Sequence, residues 1–394
     1  MAKKKVAIIG AGASGLAAIR HALLYGFEPV CFEATNDIGG LWRYKEDERS
    51  INGTPLASVM KSTVINSSKE MTAYSDFPPP SSWPNFMHNR QMMVYFRKYA
   101  EAYQLTKYIR FNHFIKNVER TFDFENTGNW NVFYVDETHP TLNDELPTRL
   151  ASGTIIMKPA IRKFTANGIC FVDGSIVEQV DTVICATGYS ISFPMLEDGK
   201  LIPVNDNKVE LYKYMYPPEL SDKNTLAIIG LTQPLGSFLP ISEMQARVFF
   251  DVFAGNSKLP KKEEMLEDIR AKQEALKNRY LPTRRHTIQV DYIPFMDELA
   301  KLIGCYPSIW KIASMDPFLA WKVFSSPTPS YVYRILGPHS WEGAKEALLE
   351  AESRVKDGCN PGKPKTWKPK EKSFGFFKFF IIGFVICIIL KLFF

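Results

Sequence analysis

Paired cysteines are missing from this chain. Its six cysteines (Cys31, Cys170, Cys185, Cys305, Cys359 and Cys387) are scattered through 394 residues with no CxxC pair. That spacing suggests neither a disulfide framework nor a zinc site, so no metal is expected. Reduced thiols in a cytosol-facing protein are the expectation. A strong charge of either sign is missing too. The formal net charge is +6, and much of the excess sits in Lys3–Lys5 and in Lys363, Lys365, Lys368, Lys370 and Lys372. The rest is near neutral, which leaves no nucleic-acid surface. No signal peptide is read at the amino terminus, because the short apolar run after the first lysines passes straight into glycines. No internal repeat is found.

What is present is an ordinary globular composition, 45% apolar and 23% charged. Its length allows two domains or one elaborated domain. One long apolar run exists, Phe374 to Phe394, interrupted only by Lys378 and Lys391 near its ends. As a helix it would be about 30 Å long, the thickness of a bilayer's hydrocarbon core. Its two lysines can reach the head groups. The basic stretch before it suits a cytoplasmic flank. A buried core helix or an interfacial helix is the other reading, but core helices rarely run this long without polar residues. The expectation is a tail-anchored protein with its body in the cytosol.

Lys5 to Gly10 reads as a buried strand, Leu16 to Tyr25 as a helix and Phe27 to Glu33 as a second strand, a βαβ opening. Residues 36–84 read as loops and short elements. Further helices are expected over Met92–Tyr103, Ser242–Phe253, Lys261–Asn278 and Trp341–Val355. Strands are expected over Ile109–Val118, Trp130–Val135, Thr154–Met157, Gly168–Val172, Thr182–Cys185 and Asn224–Leu231. The stretch DETHPTLNDELPTR, beginning at Asp136, reads as structureless.

Gly10, Gly12 and Gly15 fit G-x-G-x-x-G between that strand and helix, and Glu33 follows 18 positions after Gly15 at the end of the second strand. Gly10 permits the tight turn, Gly12 lets backbone approach a pyrophosphate, and Gly15 lets the helix pack close to the strand. The helix N-terminus offers N–H groups and a positive dipole to phosphates. Glu33 can accept from a ribose, which favours FAD or NAD over NADP here. Gly39-Gly40-Leu41-Trp42 then allows a second close approach along a long dinucleotide, which leans toward FAD; an ordinary turn is the alternative.

These segments, together with VINSSKEMTAYSDFPPPSSWPNF, ICATGYSISFPML, LAIIGLTQPLGSFLPISEMQARV and the apolar tail, resemble the flavin-containing monooxygenases of animals over nearly the whole chain. The resemblance implies an α/β, Rossmann-type FAD domain of the two-dinucleotide-domain kind. It implies that NADPH, held at a second glycine motif, reduces the flavin. The reduced flavin and O2 then oxygenate a nucleophilic nitrogen or sulfur of a small lipophilic amine or sulfide, or insert oxygen beside a ketone. By resemblance Asn66 is the active-site asparagine, an amide that donates and accepts without titrating. Taken without the resemblance, Asn66 reads as a turn residue. The FAD contacts carry over to Gly10, Ala11, Gly12, Ala13, Ser14, Gly15, Glu33, Gly40, Leu41, Trp42, Ile65, Asn66 and Ser67. Thr187, in the second linker motif, and Gln245, in a helix whose start approaches the flavin ring in relatives, complete the cofactor set.

The second glycine motif is not there, nor is the F-x-G-x-x-x-H-x-x-x-[YF] hallmark that should precede it. The segment Gly230 to Ser237, GLTQPLGS, lacks the spacing. The chain therefore reads as a family member with most of the NADPH domain deleted, joined near Glu137–Leu142. The expected organisation is residues 1–140 and 191–355 for the FAD domain and its helical region. Residues 141–190 are a remnant of the NADPH domain, 356–373 a basic linker and 374–394 the anchor, at the endoplasmic reticulum by resemblance. Losing the domain that positions nicotinamide costs hydride transfer dearly. It should also leave apolar surface without cover. Three functions follow: a monooxygenase with impaired activity, a catalytically inactive FAD-binding or regulatory isoform that associates with full-length relatives, or an FAD enzyme reduced by another protein or by free NADPH.

Overall fold

The computed structural model describes residues 4–45, 50–51, 54–55, 57–118, 145–183, 190–280 and 286–359. The opening is the expected one. β1 (Lys5–Ile9), α1 (Ala13–Leu24) and β2 (Glu28–Phe32) form a βαβ unit, with β1 and β2 parallel and Lys5 paired with Glu28 through Ile9 with Phe32. After a small hairpin, β3 (Ser50–Ile51) and β4 (Thr54–Pro55), the chain makes the single turn α2 (Lys69–Thr72) and the longer α3 (Asn89–Ala102). β5 (Ile109–Arg110) then adds to the free side of β2. The expected strand over Ile109–Val118 shrinks to these two residues and a single bridge from Val118 to Leu196.

α1 is nearly all small or aliphatic, and Ala13, Leu16, Ala17, Ala18, Ile19 and Ala22 are buried. Such a surface lets another helix come close. The occupant is α5 (Phe238–Phe253), itself buried over almost its whole length. α6 (Lys262–Arg279) is charged as expected but buries Met265 and Ile269. α7 (Tyr292–Leu302), α8 (Ile309–Met315), α9 (Pro317–Ser325) and α10 (Ala344–Gly358) complete the helical side.

Four expectations need correction. Asn224–Leu231, buried from Thr225 on, is not a strand: among the described residues its ladder-like backbone bond is Ile228 N–H to Met215 O at 2.9 Å, and a strand needs a partner along its length. The end of the polar stretch is not structureless, because α4 runs over Glu145–Ala151. Thr154–Met157 is irregular; the strand there is β6 (Ile161–Phe164), which starts where pairing with β7 (Gly168–Phe171) begins. Residues 182–183 are not in a strand either. β7 also pairs with β8 (Ile176–Glu178), so the three form an antiparallel meander. A last hairpin, β9 (Val204–Asn205) with β10 (Lys208–Val209), and a parallel pair, β11 (Gln233–Leu235) with β12 (Gln289–Asp291), flank the core.

Among the described residues no helix is long and apolar enough to cross a membrane. The run from Phe374 to Phe394, the basic linker, the junction near residues 137–142 and Trp130–Val135 lie outside the described residues. Among the described residues, Cys31, Cys170, Cys305 and Cys359 are free thiols.

Candidate functional site

The site begins at the turn between β1 and α1. Gly10 has a φ of +93°, a left-handed conformation that favours glycine. A Cβ on Gly15 would lie 1.9 Å from the Gly10 carbonyl oxygen, so the first turn of α1 sits directly on the strand end. Two other segments close on this turn. Gly40, with φ +53°, would place a Cβ 3.1 Å from Gly12 Cα, and the Gly39 N–H donates to Ala11 O at 3.0 Å. Gly230, with φ +93°, would place one 2.5 Å from Ser14 Oγ. Three glycine segments distant in sequence thus converge on one backbone turn.

The turn suits an anion. The first N–H groups of α1 have no acceptor within the helix, and its dipole favours negative charge there. Ser14 is 2% exposed, and its hydroxyl is buried with no hydrogen-bond partner among the described residues. A buried hydroxyl left unpaired is costly. A phosphate oxygen at this place would satisfy Ser14 and the first-turn N–H groups together, so these residues fit a dinucleotide's pyrophosphate.

Glu33 is already engaged. Its Oε2 accepts the Ala11 N–H at 2.7 Å, and its Oε1 accepts the Thr35 N–H at 2.9 Å and the Thr35 hydroxyl at 2.7 Å. A carboxylate has about four acceptor positions. The remaining one, on Oε2, is left for a ribose hydroxyl. Glu33 therefore shapes the loop as well as offering an acceptor.

The other expected residues are placed less uniformly. Trp42 packs against the core, and Leu41 O accepts the Val59 N–H at 2.9 Å. Ile65 is buried and donates its N–H to Met87 O at 2.9 Å. Ser67 Oγ lies 2.6 Å from Thr72 Oγ1. Asn66 is exposed, and its side chain makes no hydrogen bond among the described residues. No described contact joins Asn66 to the glycine turn. Gln245 has both ends of its amide engaged: Oε1 accepts the Gly230 N–H at 2.8 Å and Nε2 donates to Lys213 O at 3.2 Å. It is a positioning residue that holds Gly230 beside Ser14. Thr187 lies outside the described residues.

The segment after Asn66 has a second role that motif reading missed. The Tyr74 hydroxyl donates to Ala13 O at 2.7 Å, anchoring the first turn of α1. Ser75 gives its N–H to Glu243 Oε2 and its hydroxyl to Glu243 Oε1, each at 2.7 Å. Glu243 also meets Arg334 Nη2 at 2.9 Å and His21 Nε2 at 3.3 Å, and Arg334 Nε donates to Ser75 Oγ at 2.6 Å. Arg334 lies 3.5 Å from Asp76, which Arg20 reaches at 3.4 Å. Further along, Lys69 Nζ donates to Arg354 O at 2.6 Å, and Glu70 accepts from the Tyr331 hydroxyl at 2.8 Å and from Arg354 Nε at 3.0 Å. These contacts tie α2 to α10. The only available signal was the run of polar residues, too dense for a plain loop, between Ser67 and Asp76.

Electrostatics inside this cluster are sharp. Burial would raise the Glu243 carboxyl, but the hydrogen bond from His21 and the Arg334 charge hold it well below the usual range. Burial pushes His21 down to about 3, despite its hydrogen bond to Glu243. His21 is therefore neutral in the folded chain and protonates near its ordinary value when unfolded. The unfolded state binds the extra proton, so folding stability falls as pH drops below about 6.5. From there to about pH 5 the loss from this one group is about 2 kcal/mol. His21→Gln, which can still donate to Glu243, should flatten that slope. Urea midpoints of both chains at pH 7 and pH 5 test it; parallel shifts in the two would remove His21 as the cause.

Comparisons with known proteins give the family. A family model described as flavin-binding monooxygenase-like matches residues 3–138 and 133–394. The chain is 33% identical to rat (Rattus norvegicus) flavin-containing monooxygenase 5 over 503 positions, covering 90% of this chain and 93% of that one. It is 32% identical to rat dimethylaniline monooxygenase (N-oxide-forming) 2 over 499 positions, covering 89% and 92%. These alignments are more than a hundred positions longer than the 394-residue chain, so at least that many positions of each relative have no counterpart here. Among solved structures, S-allyl-L-cysteine S-oxygenase from Allium sativum superposes with a TM-score of 0.62 at 20% identity, covering 90% of this chain and 99% of that one, a likeness of fold. The chain belongs to the flavin-binding monooxygenase-like family, whose activity is FAD-dependent monooxygenation with NADPH as reductant.

Proposed function

We propose that this chain holds FAD at the Gly10–Gly15 turn and is a monooxygenase of tertiary amines and sulfides whose reduction by NADPH is impaired. What carries the reading is the pairing of a complete pyrophosphate cradle with a family match that falls into two pieces meeting at residues 133–138. The first N–H groups of α1 and the Ser14 hydroxyl donate to the pyrophosphate. Glu33 holds the ribose and Gly40 covers the turn. Gln245, through Gly230, keeps the Ser14 side of the cradle in place. Asn66, exposed and with no side-chain hydrogen bond among the described residues, is the amide that faces the reacting centre. FAD, when bound, supplies the redox chemistry and the activation of O2. Nothing comparable to the α1 turn is read for a second nucleotide, so the nicotinamide is not held in place and hydride transfer loses the advantage of positioning.

The name of the N-oxide-forming relative favours a lipophilic tertiary amine as substrate. The apolar run from Phe374 to Phe394 and the lysines before it support a tail anchor in the endoplasmic reticulum membrane, with the body in the cytosol. An inactive FAD-binding isoform that associates with full-length relatives is the second reading, favoured by the same missing block.

Anaerobic visible absorbance tests the proposal. The purified chain should be yellow, should bleach at once with dithionite and should bleach at least a hundredfold more slowly with NADPH than an intact relative under the same conditions. Fast bleaching by NADPH would overturn the impairment, and a colourless protein would overturn the cofactor assignment. Turnover of a tertiary amine after chemical reduction and admission of O2 separates the impaired enzyme from the inactive isoform.

A further inference from the structure

The β6–β7–β8 meander is the least covered part of the described chain. Ile156, Met157, Ile161, Phe164, Val172 and Ile176 are each between 46% and 78% exposed. The strand order is β6-β7-β8, so among the described residues the outer edges of β6 and β8 have no partner strand. Open edges with apolar side chains on both faces are templates for another strand.

The two edges differ in charge. β6 carries Arg162 and Lys163, with Lys158 just before it, and β8 carries Glu178, with Asp181 just after it. None of these five forms an ion pair among the described residues, and those on the strands are exposed. Pairing β6 with β6 of a second copy would set Arg162 and Lys163 against their own kind, which is unfavourable. Pairing β8 of one copy with β6 of the next sets acid against base. In an antiparallel addition with Glu178 opposite Arg162, Ile176 falls opposite Phe164 of the next copy. One register therefore satisfies both the charges and the apolar side chains.

We propose that the meander is a self-association surface through which copies of this chain join edge to edge, β8 of one against β6 of the next. The contact is head-to-tail, so it does not close at two copies and should build higher oligomers as concentration rises. The proposal rests on the sheet edges alone and does not depend on bound flavin.

The test uses the full chain in a nonionic detergent, followed by sedimentation velocity over a range of concentrations. Wild type should grow in mass with concentration. The variants Arg162→Glu/Lys163→Glu and Glu178→Lys should each associate at least tenfold more weakly when alone. A 1:1 mixture of the two should recover association, because each then offers the edge that the other lacks. That recovery also shows that both variants have kept their fold. A wild type monomeric throughout, a variant that associates alone as well as wild type, or a mixture that stays monomeric would each overturn the proposal. The second of these outcomes would point to the apolar tail or to a β8–β8 contact instead.

Discussion

A chain carrying Gly15→Ala is expected to purify colourless, with flavin affinity reduced at least a hundredfold. The reason is local and steric. The added methyl would stand 1.9 Å from the Gly10 carbonyl oxygen and 2.9 Å from its carbon, and these are backbone atoms, not the movable end of a side chain. Either α1 lifts away from β1 or the Gly10 turn opens. Both moves carry the first-turn N–H groups and the Ser14 hydroxyl away from one another, and these are the donors on which the pyrophosphate depends. A hundredfold loss is about 2.7 kcal/mol, within the usual cost of overpacking a tight contact. Flavin content per protein and equilibrium dialysis against FAD measure it. A Gly15→Ala protein as yellow as wild type would mean that the cradle is not at this turn. Gly26→Ala is the control: its Cβ would meet nothing within 4 Å, so only its own left-handed backbone is perturbed.

Arg334→Met should be the most destabilising single change outside the glycine turn, by about 3–5 kcal/mol. Arg334 is 2% exposed, pairs with Glu243 at 2.9 Å and lies 3.5 Å from Asp76, which Arg20 also reaches at 3.4 Å. Methionine fills similar volume but leaves two buried carboxylates short of their counter-charge, and breaking a buried pair from one side is costly. The loss should appear as a lower urea midpoint, with flavin retained at low denaturant. Adding Glu243→Gln to Arg334→Met should recover part of the stability, since the stranded charge goes with it. A double variant no more stable than Arg334→Met alone would show that lost packing, rather than charge, sets the cost.

The sequence made the first forty residues legible because each device there is local. A strand, a glycine turn, a helix and an acid lie within one βαβ unit, and their spacing is set by covalent geometry. Ser14 and Gly40 could be read as cofactor contacts for that reason. Gly230 could not, because its place beside Ser14 depends on how α5 packs against α1, more than two hundred residues away. Asn66 was legible only through resemblance, since an exposed amide in a loop has no pattern of its own. The segment from Lys69 to Asp76 was singled out by resemblance and then given no task. Its partners, Glu243, Arg334 and Arg354, come from three later elements that no periodicity connects to it. The buried stretch from Asn224 to Leu231 shows the opposite failure, because apolar composition predicts burial well and hydrogen-bond pairing poorly.

Every described support of the cradle comes from the first 118 residues or from beyond residue 190: Tyr74 under Ala13, Gly40 over Gly12, Gln245 behind Gly230, and the Glu243 cluster beneath α1. Among the described residues, 145–183 supply none of these contacts. In thermodynamic terms, the free energy of forming the cradle and the free energy of forming an inserted nucleotide-binding unit should be additive, with a coupling near zero. A chimera that receives a relative's block at residues 133–138 should then keep its flavin affinity unchanged while it gains its response to NADPH. The two halves of the reaction would be separable like modules, with reductant capture added to a flavin scaffold that stands without it.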